Sequence, residues 1–254
     1  MQAPDLQPVT PDPKKLLRTA LILVLIMVLG GIFILKAYQK RTKETSRENV
    51  PSFLFQISET KDLNFVRQDG KISELLALKG KVLVIQCLPQ SQPDETTIGV
   101  MKRLAEKYKS RDDVALVTLV LDPGEPEQLV PQLSEVADTL GAELPQWTVA
   151  SNERPTLHRF IKNEFKASML PHEKDGKWIY DQSIVLVDRE RHIRRAVVPQ
   201  KRGGAPFVAA FDFEKSKQWD EEGIKTGTDL NNVEQLEVLL GETIEILLNE
   251  KSTS

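Results

Sequence analysis

The sequence predicts an α/β fold with a central mixed sheet, preceded by one transmembrane helix. Three observations carry this prediction. Continuous apolar strands alternate with amphipathic helices, a hairpin pattern follows them, and a long uncharged run lies near the N-terminus. Strands that are apolar on both faces are typical of a sheet that helices cover on both sides. A chain of 254 residues is long enough for one such domain with appendages.

The uncharged run covers residues 19–35 and predicts a membrane anchor over residues 16–37. At about 1.5 Å per residue the run is about 26 Å long, close to the thickness of a hydrocarbon core. No A-x-A-like cleavage site follows it, and it passes directly into charged residues, so we expect a retained anchor rather than a signal peptide. Residues 1–15 are predicted to be a disordered tail, and residues 38–50 a linker.

The folded domain is predicted to cover residues 51–249, with a tail over 250–254. Its first half reads as strand, strand, helix, strand, and Asp94 is the expected N-cap of the helix. These four elements are predicted at residues 63–67, 82–87, 97–109 and 114–121.

The second half continues the alternation and ends with antiparallel strands and a helix. Gly141 is expected to close the first of its helices, and Asn231 with Glu234 resembles a capping box at the start of the last one. The predicted elements are helices over 130–140, 154–165 and 231–249, a short strand over 147–150, and a hairpin of strands 183–187 and 193–198.

The composition limits the classes of function. The formal net charge is -3 and there is no basic domain, so we expect no nucleic-acid partner. The single cysteine, Cys87, excludes an internal disulfide and a cysteine-rich zinc site, and it is expected to be a small buried hydrophobe. No spacing of carboxylates singles out a general acid/base pair. The sequence therefore predicts no enzymatic activity and no cofactor.

The loop after the strand at 82–87 has the layout of a reactive motif without its reactive atoms. It reads Gln92-Pro93-Asp94-Glu95-Thr96 and leads into a helix. Thioredoxin-fold proteins carry a C-P-x-x-C pair in this place. Here the two cysteine positions are Gln92 and Thr96, whose side chains can neither exchange electrons nor bind copper as thiolates.

Several motifs spread over residues 51–198 together carry a resemblance to a known family. They are Gln68-Asp69-Gly70-Lys71, Leu78-Lys79-Gly80-Lys81-Val82-Leu83-Val84-Ile85, Pro93-Asp94, Leu119-Val120-Leu121-Asp122-Pro123, Leu144-Pro145-Gln146-Trp147-Thr148 and Leu186-Val187-Asp188. With them the chain resembles the SCO/SenC family, membrane-anchored copper proteins with a thioredoxin-like sandwich fold. Members of that family help to build the dinuclear copper centre of cytochrome c oxidase.

The resemblance implies where metal ligands would lie, and none is present. The family's two cysteines fall on Gln92 and Thr96. Its histidine falls on Tyr180 when positions are counted back from the Leu-Val-Asp strand. It falls on Gln182 when the Asp-His-Ser setting of the family is matched instead. In both registers the chain is a degenerate member without metal ligands.

Other methionine and histidine residues are weaker candidates for copper ligands. Met169 and His172 lie three residues apart and could form a relocated copper site, because a thioether favours Cu(I). His158 and His192 are expected to be solvated.

The segment 199–229 is an insertion relative to the family pattern, and it has two possible interpretations. It is either a loop folded back over the sheet edge or a docking surface. In the second case Phe207, Phe211 and Trp219 would be exposed partner-binding anchors among charged residues.

Together these features predict a membrane-anchored, redox-inactive accessory or assembly factor for a respiratory cytochrome oxidase, with the membrane and oxidase subunits as partners. The alternatives are a copper-binding protein with relocated ligands and an interaction subunit of another membrane complex. The resemblance implies a periplasmic domain, although more basic residues follow the span than precede it, which favours the cytoplasm.

Overall fold

The structure, a computed structural model, describes residues 12–45, 51–198, 206–223 and 232–250. The chain divides into two compact units, Met1–Glu48 and Asn49–Ser254.

The first unit contains one long helix, α1 (Pro13–Thr45). Its part Pro13–Lys36 has a mean hydropathy of 2.6 and is long and apolar enough to cross a membrane. The helix is longer than the predicted anchor at both ends, so residues 13–15 of the predicted tail and residues 38–45 of the predicted linker are helical. The reason is that the Lys, Arg, Gln and Glu residues flanking the apolar run are themselves good helix formers. Residues 1–11 and 46–50 lie outside the described residues.

The second unit is an α/β domain. Its helices are α2 (Glu95–Lys107), α3 (Leu129–Leu140), α4 (Arg154–Asn163), α5 (Phe213–Glu221) and α6 (Val233–Asn249). Its strands are β1 (Ser52–Gln56), β2 (Asn64–Arg67), β3 (Ile72–Glu74), β4 (Val82–Leu88), β5 (Val114–Val120), β6 (Trp147–Ser151), β7 (His172–Lys174), β8 (Lys177–Ile179), β9 (Val185–Val187), β10 (His192–Val198) and β11 (Phe207–Ala209). Short 3-10 turns cover Glu59–Lys61, Leu75–Leu78 and Pro126–Gln128.

Nine strands form one mixed sheet. Eight of them have the order β1-β10-β9-β4-β5-β6-β2-β3, and β11 pairs with β10; β7 and β8 form a separate two-stranded sheet. Strands β4, β5 and β6 are parallel, whereas β9 is antiparallel to β4 and β10 is antiparallel to β9. The parallel unit β4-α2-β5, the hairpin β9-β10 beside it and α6 packed against β4 and β10 make the fold thioredoxin-like, as predicted.

Two cores lie on the two faces of this sheet. Alternate residues of β4 divide between them: Val84 packs on the side of α2, α3 and α6, and Ile85 packs on the side of α4. The residues of β4 and β5 are all buried. The prediction of strands covered on both faces is therefore confirmed.

The helix ends follow local chemistry. The carboxylate of Asp94 caps α2 as predicted, and Gly141 closes α3 in the left-handed conformation with φ of 70°. The cap of α6 is Asn232, whose side chain accepts from the backbone N–H groups of Glu234 and Gln235. The predicted cap, Asn231, lies outside the described residues.

The insertion has regular structure that the sequence pattern did not show. It forms β11 and α5, and α5 packs against α2 and α6. Phe211 forms a β-bridge with Ile184 and is only 1% exposed, so the expectation that it is an exposed anchor is wrong. A three-residue strand and a nine-residue helix are too short to give a clear hydrophobic period.

Candidate functional site

Two carboxylates accept hydrogen bonds from the backbone of the loop between β4 and α2 and of the first turn of α2. Asp122, which follows β5, accepts hydrogen bonds from the backbone N–H groups of Gln90 and Ser91 at 2.6 and 3.0 Å. Asp94 accepts from the backbone N–H groups of Thr96 and Thr97, both at 3.1 Å. Because the carboxyl ends of β4 and β5 meet at one edge of the sheet, the side chain that follows β5 reaches this loop.

Gln182 closes the same loop from the segment before β9. Its Oε1 accepts a hydrogen bond from the backbone N–H of Asp94 at 3.0 Å, and its Nε2 donates to the carbonyl oxygen of Gln92 at 3.1 Å. Both ends of one carboxamide are thus used to join two segments that are 90 residues apart along the chain. We call this arrangement the amide clasp.

Gln182 and Tyr180, the two candidates for the third ligand position, have different contacts in the structure. Gln182 hydrogen-bonds to the loop that contains Gln92, whereas Tyr180 is buried. The hydroxyl of Tyr180 is 2.9 Å from Nε2 of His158 and 3.4 Å from the carbonyl oxygen of Leu121. Of the two candidates, Gln182 is the one with hydrogen bonds to Gln92 and Asp94, and the assignment of the third position stays a prediction.

The residues in these positions do not fit a copper ion. Gln92 is exposed, Thr96 is half-buried in the first turn of α2, and Gln182 already uses both polar ends of its side chain. Neutral amide and hydroxyl groups are poor ligands for Cu(I), which selects thiolate and thioether sulfur. Within residues 12–45, 51–198, 206–223 and 232–250, there is no group of three or more His, Cys, Asp or Glu that could hold a metal ion.

The surroundings of the loop carry negative charge. Asp212 caps α5, and burial together with the charges of Asp181 and Asp94 raises the pKa of its carboxyl. The pKa of Glu214 is raised in the same way by burial, Asp94 and Asp212. Burial also opposes ionisation of Asp181, but hydrogen bonds from Ser168 and Ser183 outweigh it, and its pKa is lowered.

Cys87 is buried in β4, as predicted. It is 2% exposed, and burial, with a smaller effect from the charge of Asp181, raises the pKa of its thiol. A thiol in this environment is protonated at neutral pH, so it is a weak nucleophile.

The expectation that two histidines are solvated is wrong. The ring of His158 packs against Trp178 and Tyr180, with centroid distances of 4.6 and 5.3 Å, and burial and the charge of Arg154 lower its pKa. The hairpin β7-β8, which carries Trp178 and was not predicted, covers this side of α4. His192 is likewise only partly exposed. Its Nδ1 lies 3.1 Å from the carboxylate of Asp188.

Met169 and His172 are both exposed, Met169 by 38%. Nδ1 of His172 is 2.9 Å from the carbonyl oxygen of Leu170. The relocated copper site at these two residues stays a prediction.

Two of the three predicted partner-binding residues can be reached from solvent. Phe207 on β11 is 44% exposed. Trp219 on α5 is half-buried, and the ammonium group of Lys215 lies 5.0 Å from its ring centroid. The role of these two side chains in binding a partner stays a prediction.

The sequence analysis did not predict that the side chains of Asp122 and Gln182 hydrogen-bond to the backbone of this loop. A signal existed for Asp122, because it lies two residues after a buried parallel strand, at the carboxyl edge of the sheet where ligand-binding side chains are common.

When the chain is compared with known proteins, the similar proteins found are solved structures. No family model matches the sequence, and no curated protein matches it. A SCO1/SenC family lipoprotein from Bacillus anthracis is 18% identical, with 79% of this chain and 98% of that chain covered and a TM-score of 0.48. BsSco, named as a member of the Sco family of cytochrome c oxidase assembly proteins, is 21% identical, with 59% and 86% covered and a TM-score of 0.44. ScoI of Arabidopsis thaliana with copper bound is 20% identical, with 53% and 84% covered and a TM-score of 0.40.

The names of these three structures refer to the family that the sequence resembles. With identities below 25% and TM-scores below 0.5, the likenesses carry no argument about function. The thioredoxin-like fold rests on the strand order described above.

Proposed function

We propose that this chain is a membrane-anchored, redox-inactive relative of the SCO/SenC proteins that acts as an accessory or assembly factor for a respiratory cytochrome oxidase. The observation that carries the proposal is the amide clasp. In the place where the resemblance puts two cysteines and a histidine, a carboxamide joins the same segments by hydrogen bonds. These hydrogen bonds support a loop that is held in place without the electron-transfer and metal-binding atoms that the resemblance implies for it.

The membrane anchoring and the oxidase partner in this proposal are supported by different observations. Helix α1 is long and apolar enough to be the anchor. The oxidase comes from the sequence motifs, and BsSco is named for the assembly of that enzyme. We place the globular domain in the periplasm, since the resemblance implies it and long domains are translocated largely regardless of their charge.

Copper binding separates this proposal from the relocated-site alternative. We expect the full chain to lose Cu(I) to a competing chelator in equilibrium dialysis, because no soft ligand lies in the loop. Near-stoichiometric retention by the unchanged chain would contradict the proposal, and loss of that retention in His172→Ala would favour the relocated site.

The same dialysis experiment can be applied to two matched variants in which substitutions introduce copper ligands. A chain with Gln92→Cys, Thr96→Cys and Gln182→His is expected to retain Cu(I), because position 182 contacts the loop. The control combines the same two cysteine substitutions with Tyr180→His, whose side chain points toward His158 and Leu121 instead. Equal retention by both variants would show that the register is wrong.

Co-purification from native membranes tests the partner. We expect oxidase subunits to be recovered with the tagged full chain. Trp219→Ala and Phe207→Ala are expected to reduce recovery while the melting temperature falls by no more than about 4 °C. Truncating an interface anchor typically costs about 2 kcal/mol of binding, close to thirtyfold in affinity. Ile72→Ala is the control, because Ile72 is 79% exposed on the distant edge strand β3. Recovery of a different membrane complex instead would assign the chain to the third class.

A further inference from the structure

One edge of the sheet exposes apolar side chains to solvent. β1 is the terminal strand of the sheet and pairs with β10. Phe53 is 61% exposed and Leu54 is 40% exposed. Both lie on the outermost strand, although most apolar residues of the other strands are buried in the two cores. The ring of Phe53 packs against that of His192 at a centroid distance of 4.3 Å but remains 61% exposed, so the edge still presents an aromatic and an aliphatic side chain to solvent.

Cations flank the same edge. The ammonium group of Lys166, which is exposed, lies 4.0 Å from the ring centroid of Phe55 on β1. Arg195 on β10 is the register partner of Ser52 at the start of β1. We call Phe53, Leu54, Lys166 and Arg195 the β1 edge patch. Apolar side chains at a polar boundary with Lys or Arg beside them are typical of segments that lie in the headgroup region of a bilayer.

The geometry of β1 disfavours another strand as the occupant. The pairing register shifts between Phe53 and Phe55, which marks a bulge or irregularity in the strand. Such irregularities and nearby lysines are devices that prevent an edge from pairing with a further chain. A fluid lipid surface requires no hydrogen-bond register, so the irregular edge does not oppose it.

The order of elements along the chain also favours a lipid surface. Residues 46–51 join α1 to β1 along the chain. Residues 36–47 contain five basic residues, Lys36, Lys40, Arg41, Lys43 and Arg47, against one acidic residue, Glu44. Clusters of basic residues next to a membrane span attract anionic lipid headgroups.

We propose that the β1 edge patch docks on an anionic phospholipid surface and so holds the edge of the domain on the bilayer. This inference rests on the proposed anchoring by α1 and adds a second, non-spanning contact to it. Phe53 and Leu54 enter the headgroup region, and Lys166 and Arg195 lie at phosphate level.

The test places a fluorophore at single positions of the full chain in nanodiscs that contain lipid with a headgroup nitroxide. In Leu54→Cys the label is expected to be quenched several-fold more strongly than in Ile72→Cys, which labels the opposite edge of the sheet. Val24→Cys, in the apolar part of α1, reports whether the anchor is inserted when the nanodiscs carry the nitroxide on the acyl chain instead. Cys87 is buried, and a mock-labelled unchanged chain corrects for any reaction there.

Charge dependence provides the second comparison. Quenching at position 54 should fall when anionic lipid is replaced by zwitterionic lipid, when salt is raised, and in Lys166→Gln with Arg195→Gln. Equal quenching at positions 54 and 72 overturns the docking proposal, whatever position 24 shows. Loss of quenching at position 24 alone contradicts the anchoring, so the two proposals fail in different ways. Quenching at position 54 that is indifferent to lipid charge and salt overturns the assignment to anionic lipid.

Discussion

Phe211→Ala is expected to destabilise the domain strongly. Phe211 is 1% exposed and packs in the core on the side of α2 and α6, together with Phe213. Removing a buried aromatic side chain costs about 3–5 kcal/mol, because apolar contacts are lost and a cavity is left. For a domain of this size that corresponds to a melting temperature lowered by roughly 6–20 °C.

The matched control is Phe207→Ala in the same insertion. Phe207 is 44% exposed, so we expect a change of about 1 kcal/mol or less. Differential scanning calorimetry of both variants compares them directly. Similar melting temperatures for the two would mean that Phe211 is not part of the core and that the insertion is a loosely attached surface segment.

Asp62→Ala is expected to have an effect of similar size through charge rather than packing. The side chains of Arg191 and Asp62 are 4% and 10% exposed, and Nη2 of Arg191 lies 2.7 Å from Oδ1 of Asp62. Asp62 also accepts a hydrogen bond from the backbone N–H of Leu76 at 2.7 Å. Removing one partner of a buried pair leaves an uncompensated charge, which typically costs about 3–5 kcal/mol.

Urea unfolding at low and high salt measures this effect. The loss in Asp62→Ala should hardly depend on salt, since buried pairs are poorly screened. Glu59→Gln is the control: Glu59 pairs with Lys79 at 2.6 Å, but both side chains are more than half exposed, and we expect little change. If Asp62→Ala unfolds at the same urea concentration as the unchanged chain, Arg191 must find another partner or water.

The parts of the fold that could be predicted are those set by local chemistry. Largely apolar runs in the sequence predict the buried strands β4 and β5. The cap of α2 is predictable because Asp94 lies just before Thr96 and Thr97, whose backbone N–H groups need an acceptor. The hairpin β9-β10 follows from two apolar runs around a charged turn. In each case the determining residues are within a few positions of one another.

The parts that could not be predicted depend on contacts between distant segments. Tyr180 and Gln182 are two residues apart, and only the folded chain shows that Gln182 meets a loop 90 residues away. The burial of His158 requires the hairpin β7-β8, whose strands are largely exposed and carry no alternating apolar pattern. Phe211 looks like an exposed anchor in a charged segment until its bridge to Ile184 is known.

The amide clasp has a consequence for how the loop responds to the state of the cell. A carboxamide does not titrate near neutral pH, is not oxidised or reduced, and needs no ion to hold its partners. On the proposed function, we therefore expect the shape of the surface around Gln92 and Asp94 to be independent of copper supply and of thiol oxidants. A cysteine pair can change such a surface by binding copper or by forming a disulfide. On the proposed function Gln182 keeps the surface unchanged, and we expect a partner that recognises it to bind equally well in copper starvation and in copper excess.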